Sequence, residues 1–291
     1  MSIKIGGIVA SNVCGEGNKM FPLFTALIYG HKHNLFLHPL RRGNRRAGDR
    51  YTAEESQIHC VKIDYALFNK NKKYNKNLVK KKLNHANFNK EDELRFYGNK
   101  LYIFNDFFQN ANYLNKNYHI IMKYVKTKEI IKPVIYNSIH NNDILCILRM
   151  GEMINLELVT PEYYLSIFKK HEFNNIYFLV YPYNINFINK YLSYFEEYKD
   201  KIILLKNENK LVDFYCVNYF NYIATSISTF NWWSIFFIEN SNKIIYTPKY
   251  LGYLRNPPCH RNHCKNLKNI RNITIPVEHK FFDRGAFKKL I

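Results

Sequence analysis

No apolar run in this sequence is long enough to cross a bilayer, which takes about 20 consecutive apolar residues in a helix. The opening stretch, MSIKIGGIVASN, also lacks a long apolar segment and is not expected to act as a signal peptide. Cysteine is sparse and scattered, at Cys14, Cys60, Cys146, Cys216, Cys259 and Cys264. Cys146 and Cys216 sit in apolar segments, where a thiol behaves as a small hydrophobe. A reducing compartment therefore suits the chain better than a disulfide scaffold, and a soluble cytoplasmic protein is expected. Acidic residues are few, 23 against 43 Lys and Arg, for a formal charge of +20. Such an excess admits nucleic acid, an anionic membrane surface or a phosphorylated small molecule as partner. The lysines are spread among Asn, Tyr and Ile rather than gathered in a stripe, which argues against nucleic acid and leaves peripheral contact with an anionic membrane open. Several signatures are missing as well: an Asp-x-Asp for a sugar-nucleotide metal, a His-Glu-x-x-His zinc helix and a Gly-x-Ser-x-Gly elbow. CHRNHC at 259–264 puts four potential zinc ligands in six residues, too close together to close one tetrahedron, and reads as a polar surface loop. No metal is expected.

What is present is enough for real cores: of 291 residues, 47% are hydrophobic and 16% are aromatic. SIKIGGIVA reads as a strand, NVCGEGN as a turn, KMFPLFTALIYGHKH as a helix with Pro22 in its first turn, and NLFLHPL as a strand. An Arg- and Gly-rich loop follows at 41–50, and the Lys/Asn-rich stretch 69–90 reads as a solvated loop. The later half alternates strands with helices: DILCILRM, TPEYYLSIFKKHE, NNIYFLVYP, INKYLSYFEEYK, KIILLK, NKLVDFYCVNYF, YIATS, the helix with Trp232 and Trp233, then KIIYTP. Thr160 as N-cap, Pro161 at the first helical position and Glu162 in the first turn mark one helix start. Alternation of this kind, with near-continuous apolar strands, predicts an α/β fold with parallel sheets covered on both faces. Two α/β halves are expected, 1–135 and 140–291, joined by the polar, proline-containing KPVIYNSIHNND, with the last segment able to return to the first half.

Ligands of open parallel sheets bind beyond the carboxyl ends of the strands. Three features gather there. Arg149 ends one strand, before Gly151 and Glu152. A guanidinium in that place forks onto a phosphate or pairs with a nearby carboxylate, and spacing does not choose between them. Thr225 and Ser226 end another strand, and Ser228 and Thr229 begin the next helix. They can hold an anion with the free N–H groups of the first turn, or Ser228 can simply cap the helix. Gly15, Gly17 and Asn18 form a glycine loop at the first strand-to-helix turn, without the third glycine of a dinucleotide fingerprint.

Taken in order, these segments resemble glycosyltransferase family 11, the α-1,2-fucosyltransferases. CGEGNKMFPLF resembles that family's Gly-Gly-Leu-Gly-Asn-Gln-Met-Phe-Gln, with Gly15, Gly17, Asn18, Met20 and Phe21 on the pattern. LYIFNDFFQNANYL is similar to its Gly-Tyr-Phe-Gln-Ser-x-x-Tyr-Phe segment, LRMGE to His-x-Arg-Arg-Gly-Asp, and TPEYYLSIF to Ser-x-Glu-Tyr-Tyr. LVDFYCV looks like Glu-Asp-Leu-x-x-Met, placing Asp213 on the aspartate, and SISTFNWW looks like Ser-Asn-Ser-Thr-Phe-Ser-Trp-Trp. The resemblance implies two Rossmann-like halves facing a cleft, as in the GT-B glycosyltransferases. It implies transfer of fucose from GDP-fucose to a galactoside-type glycan acceptor with inversion, without metal or other cofactor. The donor would be held by Arg149, Asp213, Thr225, Ser226, Ser228 and Thr229, and the glycine loop would line the cleft. Arg149 and Glu152 would be the catalytic candidates, with Glu152 standing where the family has Asp. The chain departs from the pattern at Ile147, Met150 and Ile227, each apolar where the family is polar, and at YPYN, 181–184, where it has carboxylates. A non-catalytic nucleotide-sugar or glycan binder, or a transferase for another deoxysugar, is therefore also compatible.

Overall fold

The computed structural model describes residues 7–10, 16–37, 58–72, 79–83, 100–104, 110–128, 130, 132–149, 159–181, 185–206, 209–226, 228–238, 242–248 and 273–277. The chain divides into two compact units, Met1–Glu129 and Ile130–Ile291. Both contain α/β structure with parallel strands.

The first unit's main sheet is built of β1 (Gly7–Ala10), β2 (Phe36–Leu37), β4 (Val79–Leu83) and β5 (Lys100–Phe104), in the order β2-β1-β5-β4, every neighbour parallel. A two-stranded antiparallel ribbon pairs β3 (Val61–Ile63) with β6 (Val125–Thr127). Helix α1 (Glu16–Lys32) is buried on nearly every side, including Met20, Phe21, Leu23, Phe24, Leu27, Ile28 and Tyr29. It ends because Asn34 takes a left-handed φ of 53°. There Leu35 N–H reaches the Gly30 carbonyl (2.8 Å) and Asn34 N–H the His31 carbonyl (3.3 Å), a Schellman closure. Short helices α2 (Tyr65–Asn69), α3 (Ala111–Lys116) and α4 (Tyr118–Tyr124) complete the unit, the first two capped by the side chains of Asp64 and Asn110.

Two expectations for this unit need correction. The Lys/Asn-rich stretch 69–90 is not all loop: VKKKL within it forms β4, at the edge of the sheet. Three consecutive lysines give no alternating pattern to read, yet lysine suits an edge strand because it discourages pairing with another chain. Helix α1 starts at Glu16, so Pro22 lies inside it rather than in its first turn. The ring cannot donate to the carbonyl four residues back, and burial of the surrounding apolar side chains outweighs that loss.

The second unit carries a sheet of six parallel strands in the order β12-β11-β10-β7-β8-β9. These are β7 (Ile144–Arg149), β8 (Ile176–Tyr181), β9 (Ile202–Leu205), β10 (Tyr222–Ala224), β11 (Ile244–Pro248) and β12 (Ile273–Val277). Helices α5 (Pro161–Phe168), α6 (Ile185–Leu192), α7 (Lys210–Tyr215) and α8 (Thr229–Phe236) connect them. Sequence reading found every strand of this sheet but β12. Its ITIPV contains Pro276, which cannot donate to a ladder and so belongs at an edge, where β12 lies. Segments 193–201 and 216–219, read as continuations of α6 and α7, tighten into 3-10 turns. The expected linker also takes part in this unit: residues 134–138 make a 3-10 turn, and Tyr136, 1% exposed, stacks on Tyr219 at 4.8 Å.

Strand order fixes which helices share a face. The steps β7 to β8 and β8 to β9 run one way across the sheet, and the step to β10 returns, so right-handed crossovers put α5 and α6 opposite α7 and α8. The core agrees: Ile144, Cys146 and Leu148 of β7 pack with Tyr163, Tyr164 and Ile167 of α5 and Ile188 and Tyr191 of α6. Alternation then gives Leu145 and Ile147 to the α7/α8 face. At the amino edge, Asp143 is fully buried; its Oδ1 accepts from Asn175 N–H (2.9 Å) and its Oδ2 from His140 N–H (2.8 Å).

Candidate functional site

The carboxyl edge of the six-stranded sheet collects the polar candidates of the second unit. Its centre is the turn from β10 into α8. Ser228 is extended (φ −154°, ψ 129°) and accepts from Asn231 N–H at 3.5 Å, the N-cap its residue type predicts. The helix it opens is buried on all sides, and spacing of four produces two aromatic stacks, Trp232 on Phe236 (5.2 Å) and Trp233 on Phe237 (5.9 Å). Burying each such side chain contributes roughly 1.5–3 kcal/mol, which holds the helix and its polar N-terminus in place.

Thr225, Ser226, Ser228 and Thr229 are all buried, at 5–7% exposure. The Thr225 hydroxyl donates to the Tyr246 carbonyl of β11 at 3.3 Å, and its N–H to the same oxygen at 2.9 Å. Ser226 Oγ accepts from Asn231 Nδ2 at 3.2 Å. Asn231 thus touches both serines, through its side chain and its backbone. Its place in a Thr-Phe-Asn-Trp-Trp run gave no sign of this in sequence. Ser226 keeps its own hydroxyl proton as a donor, and the first-turn N–H groups of α8 point the same way as its positive dipole end. The chemistry available is anion binding by neutral donors at a low-dielectric helix start.

Three buried tyrosines of the opposite face brace this edge. Tyr163 donates to the Tyr246 carbonyl (2.9 Å), Tyr164 to the Ile147 carbonyl (2.8 Å), and Tyr191 to the Val159 carbonyl (2.6 Å). Burial pushes all three phenols well above their ordinary range, so they stay protonated as donors. The Tyr246 carbonyl therefore accepts from both Thr225 and Tyr163, fastening β10, β11 and α5 at one point.

Asp213 lies in the first turn of α7 and is buried, its backbone carbonyl accepting from Cys216 Sγ at 3.1 Å. Burial, then the Asp213 charge, raises the Cys216 thiol well above its usual range, which keeps it protonated. Phe214 beside it packs on Phe230 (5.3 Å) and Phe237 (6.2 Å), bringing α7 alongside α8. Asp213 and the hydroxyl turn thus share one sheet face and one sheet edge.

The other candidates fall differently. Arg149 ends β7 opposite Tyr181, at the same carboxyl edge, but its side chain is outside the described groups. Glu152, Gly15, Ile227, Met150, the 41–50 loop and the 259–264 cluster lie outside the described residues. Gly17 and Asn18 are in the first unit and belong to the first turn of α1 rather than to a loop; Gly17 is buried there. Glu16, which sequence reading passed over, accepts from the backbone N–H groups of His59 and Cys60 (2.8 Å for Cys60) and ties the start of α1 to the approach to β3. Ile147 is 3% exposed, an apolar neighbour on β7: Ala224 pairs with Cys146, so Thr225 and Ile147 come next on the two strands. Among the described residues, no three His, Cys, Asp or Glu are grouped as a metal site would need, and no helix is long and apolar enough to cross a membrane.

Comparison with protein-family models, curated proteins and solved structures returned no match.

Proposed function

We propose that the protein is a nucleotide-sugar-dependent glycosyltransferase, transferring fucose from GDP-fucose to a galactoside-type glycan with inversion and without a metal. The observation that carries this is the buried hydroxyl turn, Thr225 to Thr229, at the start of α8 on the carboxyl edge of a parallel sheet. The ordered resemblance to glycosyltransferase family 11 supplies the donor and the GT-B arrangement of two Rossmann-like units. Loss of GDP puts negative charge on the β-phosphate. Ser226, Thr229 and the first-turn N–H groups would meet that charge, with Arg149 from the neighbouring strand end. Asp213 would accept from the guanine or sugar hydroxyls, and Gly17 and Asn18 would serve the acceptor side. Glu152 is the general base of this proposal.

A second reading, a donor-binding protein without transfer, draws on Ile147: a buried apolar residue beside Thr225 where the resemblance has histidine. One experiment separates the two. The chain is incubated with radiolabelled GDP-fucose and a panel of galactosides, with chelator present. Transfer supports the enzyme, and Arg149→Ala should then lower turnover by at least ~100-fold. Binding of GDP without transfer or hydrolysis supports the second reading. Neither binding nor turnover removes both.

A further inference from the structure

A cavity of about 340 Å³ opens on the second unit, away from the residues discussed so far. Its walls come from the end of α5 (Phe168, Lys169, Lys170), the following loop (His171 to Phe173) and the approach to β9 (Tyr198, Lys201). β8 begins beside it at Ile176 and β9 at Ile202, so it lies at the amino edge of the sheet, opposite Arg149 and the hydroxyl turn. Beneath it lie the buried rings of Phe168 and Phe173, 4% and 3% exposed, and Tyr198, partly exposed, meets Phe168 edge-on at 5.2 Å.

The rim is cationic. Lys169 and Lys170 are exposed, and Lys201 is half-buried with Nζ donating to the Phe173 carbonyl at 3.0 Å. That bond uses one of the three protons an ammonium offers. None of the three lysines is ion-paired within the described residues, although Glu172 lines the same cavity. Lysines at a helix C-terminus have an ordinary explanation, since they offset the negative end of the dipole. It covers Lys169 and Lys170. It does not cover Lys201, which arrives from a different segment, nor the hollow the three surround. The α5 end is itself partly satisfied, because Lys169 N–H and Lys170 N–H bond the Leu165 and Ile167 carbonyls.

We propose that this cavity binds a small phosphate monoester, its apolar body against the partly exposed Tyr198 and its phosphate against Lys169, Lys170 and Lys201. Three point-charge ammoniums with one carboxylate suit a dianion better than a carboxylate ligand, and the volume suits a small molecule. This site is independent of the donor site proposed above.

The test is calorimetric titration of the full chain with phenyl phosphate, beside inorganic phosphate, phenol and vesicles of mixed neutral and anionic phospholipid. Saturable binding of phenyl phosphate, about tenfold tighter than inorganic phosphate or phenol, is expected, with GDP at saturation leaving it in place. Combined Lys169→Gln, Lys170→Gln and Lys201→Gln should weaken it by about tenfold or more, and Lys201→Arg should keep it, which separates loss of charge from loss of fold. No saturable binding up to about 10 mM, unchanged affinity in the triple variant, or displacement by GDP would overturn the proposal. Vesicle binding that needs the same lysines while phenyl phosphate fails would overturn it in favour of a membrane surface.

Discussion

Single residues carry most of the information at the candidate site, and the informative one is Asn231. Reading the sequence identified the four hydroxyls at the β10–α8 turn from residue type and position, but nothing local distinguishes an asparagine that locks two serines from one facing solvent. Its side chain and N–H reach Ser226 and Ser228 respectively. Asn231→Ala should cost ~1–3 kcal/mol, seen as a lower urea midpoint with an unchanged slope, since it takes the Nδ2 donor from the buried Ser226 hydroxyl while the backbone bond to Ser228 stays. Lys243 is a second residue that sequence could not place. It is 3% exposed, and Nζ donates to the carbonyls of Asn218 (2.8 Å) and Phe220 (2.6 Å), closing the 3-10 turn that precedes β10. Burial lowers its pKa from 10.5 to about 8. Between those values the unfolded chain binds more protons than the folded one, so this lysine's contribution to stability rises with pH across that window and is flat below it. Denaturation of wild type and Lys243→Met at pH 7 to 10.5 should show the wild type gaining on the variant only above about pH 8.

Elements were legible where one strong local signal stood alone. Thr160, Pro161 and Glu162 announced α5, although Thr160 stands at the N-cap position without a side-chain capping bond, and apolar runs announced β7 to β11. The misses have distinct physical causes. β4 carries three lysines in a row, and β12 a proline, each acceptable only because the strand is an edge, a fact of topology rather than of the segment. The start of α1 was placed too late because Gly15 to Asn18 looks like a turn, while Glu16 is secured by backbone donors more than 40 residues away. What positions α5 could not be read either: the hydroxyls of Tyr163 and Tyr164 find strand carbonyls distant in sequence. Tyr164→Phe should cost ~1 kcal/mol and speed hydrogen exchange at the carboxyl end of β7, measured amide by amide.

At the scale of the whole molecule, the parallel α/β character and the alternation of the second unit followed from sequence pattern, because covered parallel strands must be apolar throughout. Function rests on a narrower base. One polar turn sits at the edge where such sheets bind ligands, and the glycosyltransferase reading proposed above is built on it. The most direct measurement is calorimetric titration with GDP, in chelator, of the wild type and of Ser226→Ala/Thr229→Val. The account predicts saturable binding in about the micromolar range for the wild type and a loss of about tenfold or more in the variant, with melting temperature held nearly constant. No GDP binding up to about 1 mM, or equal affinity in both proteins, would contradict it.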